Sequence, residues 1–241
     1  MSESASRRGK DTDAAGQDAT VPGLLMVLAN VGSADDLEFN RWYDREHMRE
    51  RVAIPGFVSA QRYRAIGPAP WTYLALYHTE AFATFTSPLY REALANQSPW
   101  SKQILGRFRD PQRAVARRTY QAGYGIGGFV RLTRLCPAPG AAEELRRGLA
   151  AEALPALVAQ ESVIGASLFE SDPGLSRPVP EYPKSSIEKV RADDWFLIVH
   201  ATRPAPFPEN RNPAQAGLIE TIELIGDFCL LWGLHRSDLP P

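Results

Sequence analysis

The stretch most suited to chemistry is Asn40 to Phe57, NRWYDREHMRERVAIPGF. On a helix, Tyr43 and His47 are four positions apart and Asp44 and His47 three, so all three can share one side. A carboxylate beside an imidazole fixes its tautomer and raises its basicity, and a nearby phenol can donate to a developing oxyanion. His47 as acid/base, Asp44 as its orienter and Tyr43 as electrophilic donor would suit proton transfer at a carbon next to a carbonyl, with no metal or cofactor. The plainer alternative is a surface histidine paired with Asp44 or Glu46.

Further candidates lie on the segments that follow. Strand alternation places Tyr73, Ala75 and Tyr77 on one face and Leu74, Leu76 and His78 on the other, while Gln61 and Tyr63 share a face. Tyr63, Tyr73 and Tyr77 are therefore candidates to line an aromatic pocket, against the alternative of core packing, and Trp42 and His78 are added as candidate substrate-binding residues. The four histidines (47, 78, 200 and 235) are scattered, and no Cys/His/Asp/Glu group has metal-ligand spacing. Tyr124–Gly128, YGIGG, precedes a strand instead of joining a strand to a helix, which argues against a phosphate loop. Cys136 and Cys229 sit in apolar stretches and read as buried free thiols, which suits a reducing cytoplasm.

These residues need elements to position them. Gly23–Val31 is a continuous apolar run, short enough for a buried strand. A helix capped by Asp35 or Asp36 runs to about Ala53 and stops at Pro55-Gly56. Two strands (Phe57–Ile66, Trp71–Thr79), helical segments to Phe108 and a closing strand Pro111–Ala122 complete the order βαββαβ. The order then restarts: strand Gly128–Leu135, a helix to about Gln160, strands Val163–Glu170 and Asp194–Thr202, a helix Asn212–Leu224 and a last strand Gly226–Arg236.

The two halves can be superposed by sequence. Setting Phe57 on Val163 gives an offset of 106 (163−57), which places His47 over Ala153. TYLALYHTE lies over DWFLIVHAT at an offset of 122 (200−78), with His78 over His200. The extra residues fall in a loop rich in Pro and Ser from Ser171 to Arg191. The fold expected is α+β: tandem ferredoxin-like units, residues 21–122 and 123–241, after a disordered tail at 1–20. A lone βαββαβ sheet has one face bare, so the two halves should face each other as separate four-stranded sheets, with a ligand in the gap between them.

Composition narrows the partners. A formal net charge of -1 argues against nucleic acid as the main partner, and the run Arg107, Arg109, Arg113, Arg117, Arg118 reads as a solvated face. No segment approaches the ~20 apolar residues of a membrane helix, and the first residues lack a secretory signal's apolar stretch.

WYDREHMRERVAIPGF, followed by SAQRYRA and TYLALYHTE, resembles the dimeric α/β-barrel superfamily, and within it the EthD-like proteins and their uncharacterised bacterial relatives. The likeness covers about residues 23–122. It implies an intramolecular dimeric α/β-barrel, with the family's helix histidine on His47, its aromatic pair on Trp42 and Tyr43 and its acidic neighbour on Asp44. For activity it implies a broad set, from cofactor-free cyclases, isomerases, decarboxylases and dehydratases on aromatic or polyketide-like compounds to haem-degrading and quinol monooxygenases. With the His47 cluster, the expectation is a cofactor-independent lyase or isomerase (decarboxylase, dehydratase or cyclase type) on a small hydrophobic or aromatic carbonyl compound. Two alternatives remain: a non-catalytic binding or scaffold protein, and a haem- or oxygen-dependent monooxygenase in which His78 is the more natural axial ligand. Helix and edge surfaces leave room for a homodimer.

Overall fold

A computed structural model of the chain describes residues 20–183, 194–204 and 217–240. The proposed tail therefore lies almost wholly outside the described residues, as does part of the long loop. Eight antiparallel strands close into one barrel in the order β1-β3-β2-β8-β5-β7-β6-β4. They are β1 (Gly23–Asn30), β2 (Phe57–Ala65), β3 (Tyr73–Thr79), β4 (Arg109–Gly123), β5 (Phe129–Pro137), β6 (Val163–Ser171), β7 (Trp195–Ala201) and β8 (Ile219–His235).

Each half contributes four strands in the order fourth-first-third-second, the ferredoxin-like arrangement. The expectation of two separate facing sheets is corrected at the edges. β2 pairs with β8 from Ser59↔His235 to Ala65↔Phe228, and β4 pairs with β6 from Ala116↔Ser171 to Gly123↔Gly165. Edge strands left open would expose unpaired N–H and C=O groups, and closure removes both edges of both halves.

The continuous apolar run of β1 follows from burial on both faces. Leu24, Met26 and Leu28 join the barrel interior, whereas Leu25, Val27 and Ala29 pack outward under the helices. The interior is filled by side chains such as Tyr63, Leu74, Leu76, Phe196, Ile198 and Phe228. The gap expected between the sheets is a packed core along most of its length.

The first helix, α1, runs from Asp36–Trp42 through one π turn, Tyr43–His47, and ends with Met48–Val52. Asp35 stands at its N-cap, but its carboxylate pairs with Arg107 (3.1 Å) instead of capping. Gly56 ends the turn after it with φ +91°, where an added Cβ would meet Thr84 Oγ1 at 2.6 Å. The short helices α2 (Pro88–Ala95) and α3 (Pro99–Leu105) follow, each started by a serine side chain that accepts from the backbone: Ser87 from Tyr90 N and Ser98 from Ser101 N.

The second half repeats this plan. Its helix, α4 (Ala142–Gly148, π turn Leu149–Ala153, Leu154–Val158), carries its π turn 106 positions (149−43) after that of α1. β6 follows β2 at the same offset, and β7 follows β3 at 122 (195−73). One element differs from expectation: residues 219–224 belong to β8, not to a helix, and 212–216 lie outside the described residues. The strand wins there because Ile222, Thr221 and Ile219 find long-range partners in Leu135, Cys136 and Pro137 of β5.

Candidate functional site

The helices of each half cover the outer face of its own sheet, so each half has a layer between helix and sheet. In the first half this layer holds His47, Arg51 and Arg62, all buried. The π turn of α1 widens the backbone ring there, a feature frequent at functional sites. His47 stacks on Trp42 with ring centroids 4.1 Å apart, and presents its edge to Tyr43 (5.3 Å) and Tyr77 (6.2 Å). Trp42 is fixed by donating from Nε1 to Ser101 Oγ (3.1 Å), whose hydroxyl donates to Glu46 Oε1 (3.2 Å).

Burial holds the pKa of His47 well below 6.5, and Arg51 and Arg62 push it further down. The imidazole is therefore neutral at physiological pH. Its Nδ1 has no partner, and the same holds for Arg51 NH1, while the Tyr77 hydroxyl is buried beside that of Tyr43. His47, Arg51 and Tyr77 line one internal cavity of about 30 Å³, with Leu25, Val27 and Leu94 among its apolar walls. That volume holds a water or a small functional group. Burial also raises the pKa of Tyr77 and Tyr43, so both phenols stay protonated.

The cover of this layer comes from the other half. Residues 172–183, in the connection after β6, cross β4 and lay Leu175, Val179 and Tyr182 over the first half's site. Arg113 anchors this strap: its guanidinium donates to the carbonyls of Leu175 and Arg177 and to Tyr90 Oη (3.0 Å). Ser176 adds a hydroxyl that accepts from Val115 N at 3.0 Å. Outside the Arg113–Tyr90 pair lies a cleft of about 440 Å³ that shares Tyr90, Leu94, Arg113 and Val179 with the inner cavity. The Arg113–Tyr90 pair therefore borders both cavities.

The sequence-predicted residues do not all meet. Trp42, Tyr43, His47 and Tyr77 meet in the helix–sheet layer of the first half. Asp44 turns away from His47: it accepts from Trp232 Nε1 (2.8 Å) and Arg62 NH1 (3.3 Å). The π turn explains this, because it rotates Asp44 out of register with the next turn. Tyr43 lies beneath Arg62, whose guanidinium carbon is 4.0 Å from its ring centroid, and Tyr77, not Tyr43, lines the cavity. Tyr73 sits in a separate network, donating to Asp36 Oδ1 (2.5 Å) and accepting from Asn40 Nδ2 (3.0 Å). Tyr63 belongs to the barrel interior, and His78 opens into a cavity at the barrel mouth.

Four residues were not singled out from sequence: Arg51, Arg62, Arg113 and Tyr90. Arg51 follows His47 by four positions, a spacing that could have found it. Arg113 stood in a basic run read as solvated, yet it is buried beneath the strap.

The second half lacks this chemistry. Tyr43, His47, Arg51, Arg62 and Tyr77 are matched by Leu149, Ala153, Leu157, Leu168 and Val199, all in its apolar helix–sheet core. Burying two guanidinium groups costs several kcal/mol per ion before compensation, and the matched positions show that the fold does not need them.

A haem does not fit beside His47, which has Trp42 on one face and about 30 Å³ of space next to it.

No family model matches the chain, and no curated protein matches it. Solved structures do share its fold. An anthrone oxidase-like protein aligns at TM-score 0.63 and 6% identity, covering 92% of this chain and 95% of its own. A monooxygenase-like protein from Lactobacillus acidophilus aligns at 0.57 and 8%, covering 90% and 97%. Another from Fusobacterium nucleatum aligns at 0.56 and 10%, covering 90% and 95%. At these identities the likeness establishes the fold, the dimeric α/β-barrel with ferredoxin-like halves, here within one chain.

Proposed function

We propose that this protein binds a small aromatic carbonyl compound in the layer between α1 and the first half's sheet. His47 Nδ1 removes a proton from a carbon acidified by conjugation with the carbonyl, whether next to it or across an aromatic ring system, without metal or cofactor. The proton passes to the neutral imidazole, and the electron pair of the broken C–H bond moves onto the carbonyl oxygen. Arg51 NH1 and the Tyr77 hydroxyl are the groups suited to hold that oxygen. The observation that carries this reading is that His47, Arg51 and Tyr77 line one cavity with buried polar side chains, of which His47 Nδ1 and Arg51 NH1 have no partner. Asp44 has no part as orienter. Trp42 takes that role by stacking.

In this reading the ring system of the substrate occupies the outer cleft, with the edge that carries the acidic C–H turned toward the inner cavity and His47. Return of the proton to another carbon, or loss of a leaving group from the anion, makes the enzyme an isomerase or lyase, of the kind expected for EthD-like relatives. A second outcome starts from the same anion. With dioxygen as the named oxidant, an activated methylene becomes a carbonyl and one water leaves. The apolar walls given by Leu25, Val27 and Leu94 suit a small nonpolar gas. Proteins of this fold described as monooxygenase-like or anthrone oxidase-like make dioxygen the co-substrate to test.

Anthrone, a fused-ring ketone with an acidic methylene, separates the readings. Under argon in D2O, the proposal expects enzyme-accelerated deuterium uptake at the methylene. In air, the second outcome expects anthraquinone with one dioxygen consumed per anthrone. Bound anthrone with no accelerated exchange in either atmosphere would return the protein to a non-catalytic binding role.

A further inference from the structure

The barrel has a second polar cavity that the chemistry above leaves unused. It lies at one mouth of the barrel, has a volume of about 390 Å³, and is separated from the His47 layer by β3. Tyr77 faces the layer, and His78, the next residue, faces the mouth. Across the barrel, His200 occupies the matched position of β7, so the two histidines approach the mouth from opposite walls.

The interior of a barrel this small is filled by side chains or holds one small ligand. Here the next inward residues, Leu76 and Ile198, belong to the apolar fill, and the outermost layer turns polar in both halves. His78 Nε2 and His200 Nδ1 are each buried with no partner, and His200 is 8% exposed. Arg118 of β4 also lines the cavity, and no carboxylate pairs with it among the described residues. The other charged lining group is Glu80, which is exposed. Hydroxyls of Ser59 and Ser167, with Phe169 and Ile126, complete a wall that is part polar and part apolar. Among the described residues, no three His, Cys, Asp or Glu side chains converge as a metal site needs.

We propose that this mouth is a binding site for a small organic carboxylate, with Arg118 holding the carboxylate and His78 and His200 donating to its oxygens or to a second polar group. An apolar body of the ligand rests on Phe169. A lone guanidinium in a half-enclosed cavity selects a single negative charge, and two neutral imidazoles can each turn an N–H toward an acceptor without opposing it. Burial keeps both rings neutral when the cavity holds no anion: His78 is pushed down to about 3, His200 to about 4. This site stands independently of the reaction proposed for His47.

The test uses benzoate as probe and the full-length protein, read by calorimetry and by the imidazole nitrogen resonances. The expected result is one benzoate per chain, shifts in the resonances of His78 and His200, and none in those of His47. Arg118→Gln should weaken binding roughly tenfold or more, since a charge-assisted hydrogen bond is worth about that factor. Benzyl alcohol, which keeps the ring without the charge, should bind at least tenfold more weakly than benzoate. The proposal is overturned if benzoate does not bind, if it binds Arg118→Gln equally well, or if benzyl alcohol matches it. It is also overturned if benzoate moves the resonances of His47 in place of those at the mouth. The resonance shifts need no variant, so a misfolded Arg118→Gln would still leave a decisive result.

Discussion

The indole of Trp42 lies against the imidazole of His47, ring centroids 4.1 Å apart and planes inclined by 27°. This contact holds the ring where a carboxylate would otherwise orient it. It also shields one face from solvent, so the free Nδ1 sits in an apolar setting that keeps it neutral. A base that stays unprotonated at neutral pH is ready to accept a proton, and the cations nearby favour the anion it creates.

Asp44 should be dispensable for that chemistry. Its carboxylate is half-exposed and serves Arg62 and Trp232. Asp44→Asn should lower stability by no more than about 1 kcal/mol, because the charge of a half-exposed pair is screened by water. Chemical denaturation measures the stability. Nitrogen NMR of His47 should show no change in its titration, and a raised or lowered titration would restore Asp44 as its partner.

Acid should weaken the fold earlier than carboxylate protonation alone would. His47, His78 and His200 all have folded pKa values below the ordinary 6.5, the last two at about 3 and about 4. The unfolded chain therefore binds more protons than the folded one below pH ~6.5. Stability is complete above that pH and falls as pH drops toward 4, with a slope of up to ~1.4 kcal/mol per pH unit for each histidine. Denaturant unfolding at pH 7, 6 and 5 measures the slope, and His200→Gln should make it shallower. A flat profile from pH 7 to 5 would mean that these rings are solvated.

The strap depends on Arg113. Arg113→Met keeps much of the side-chain volume and removes the hydrogen bonds to Leu175 O, Arg177 O and Tyr90 Oη. Amide hydrogen exchange should rise over residues 173–182 while β5 and β7 keep their protection. Equal protection of the strap in both proteins would show that Leu175, Val179 and Tyr182 hold it by packing alone.

Much of the fold was legible because the repeat is written in the order of elements. The offset of 106 that sets Phe57 on Val163 also sets one π turn on the other, though no π turn could be read from either segment. Barrel closure was not legible, since the seams β2–β8 and β4–β6 join residues far apart in sequence. Residues 219–224 looked helical because local propensity was all that could be read, while pairing with β5 decides their state. At the site, His47, Tyr77 and Trp42 could be found by type and spacing. Arg113 could not, because its burial depends on a strap from the other half, and Asp44 was misplaced by the π turn.

The most direct test of the account is the rate of deuterium uptake at the anthrone methylene under argon, compared between the wild-type protein and His47→Gln. Glutamine keeps polarity and approximate size, and it has no basic nitrogen. General base catalysis contributes about 10²–10⁴-fold, so the enzyme-dependent rate should fall by that order in the variant while the thermal midpoint and anthrone binding stay near wild type. Equal exchange rates in two folded proteins that both bind anthrone would contradict the assignment of His47 as the base.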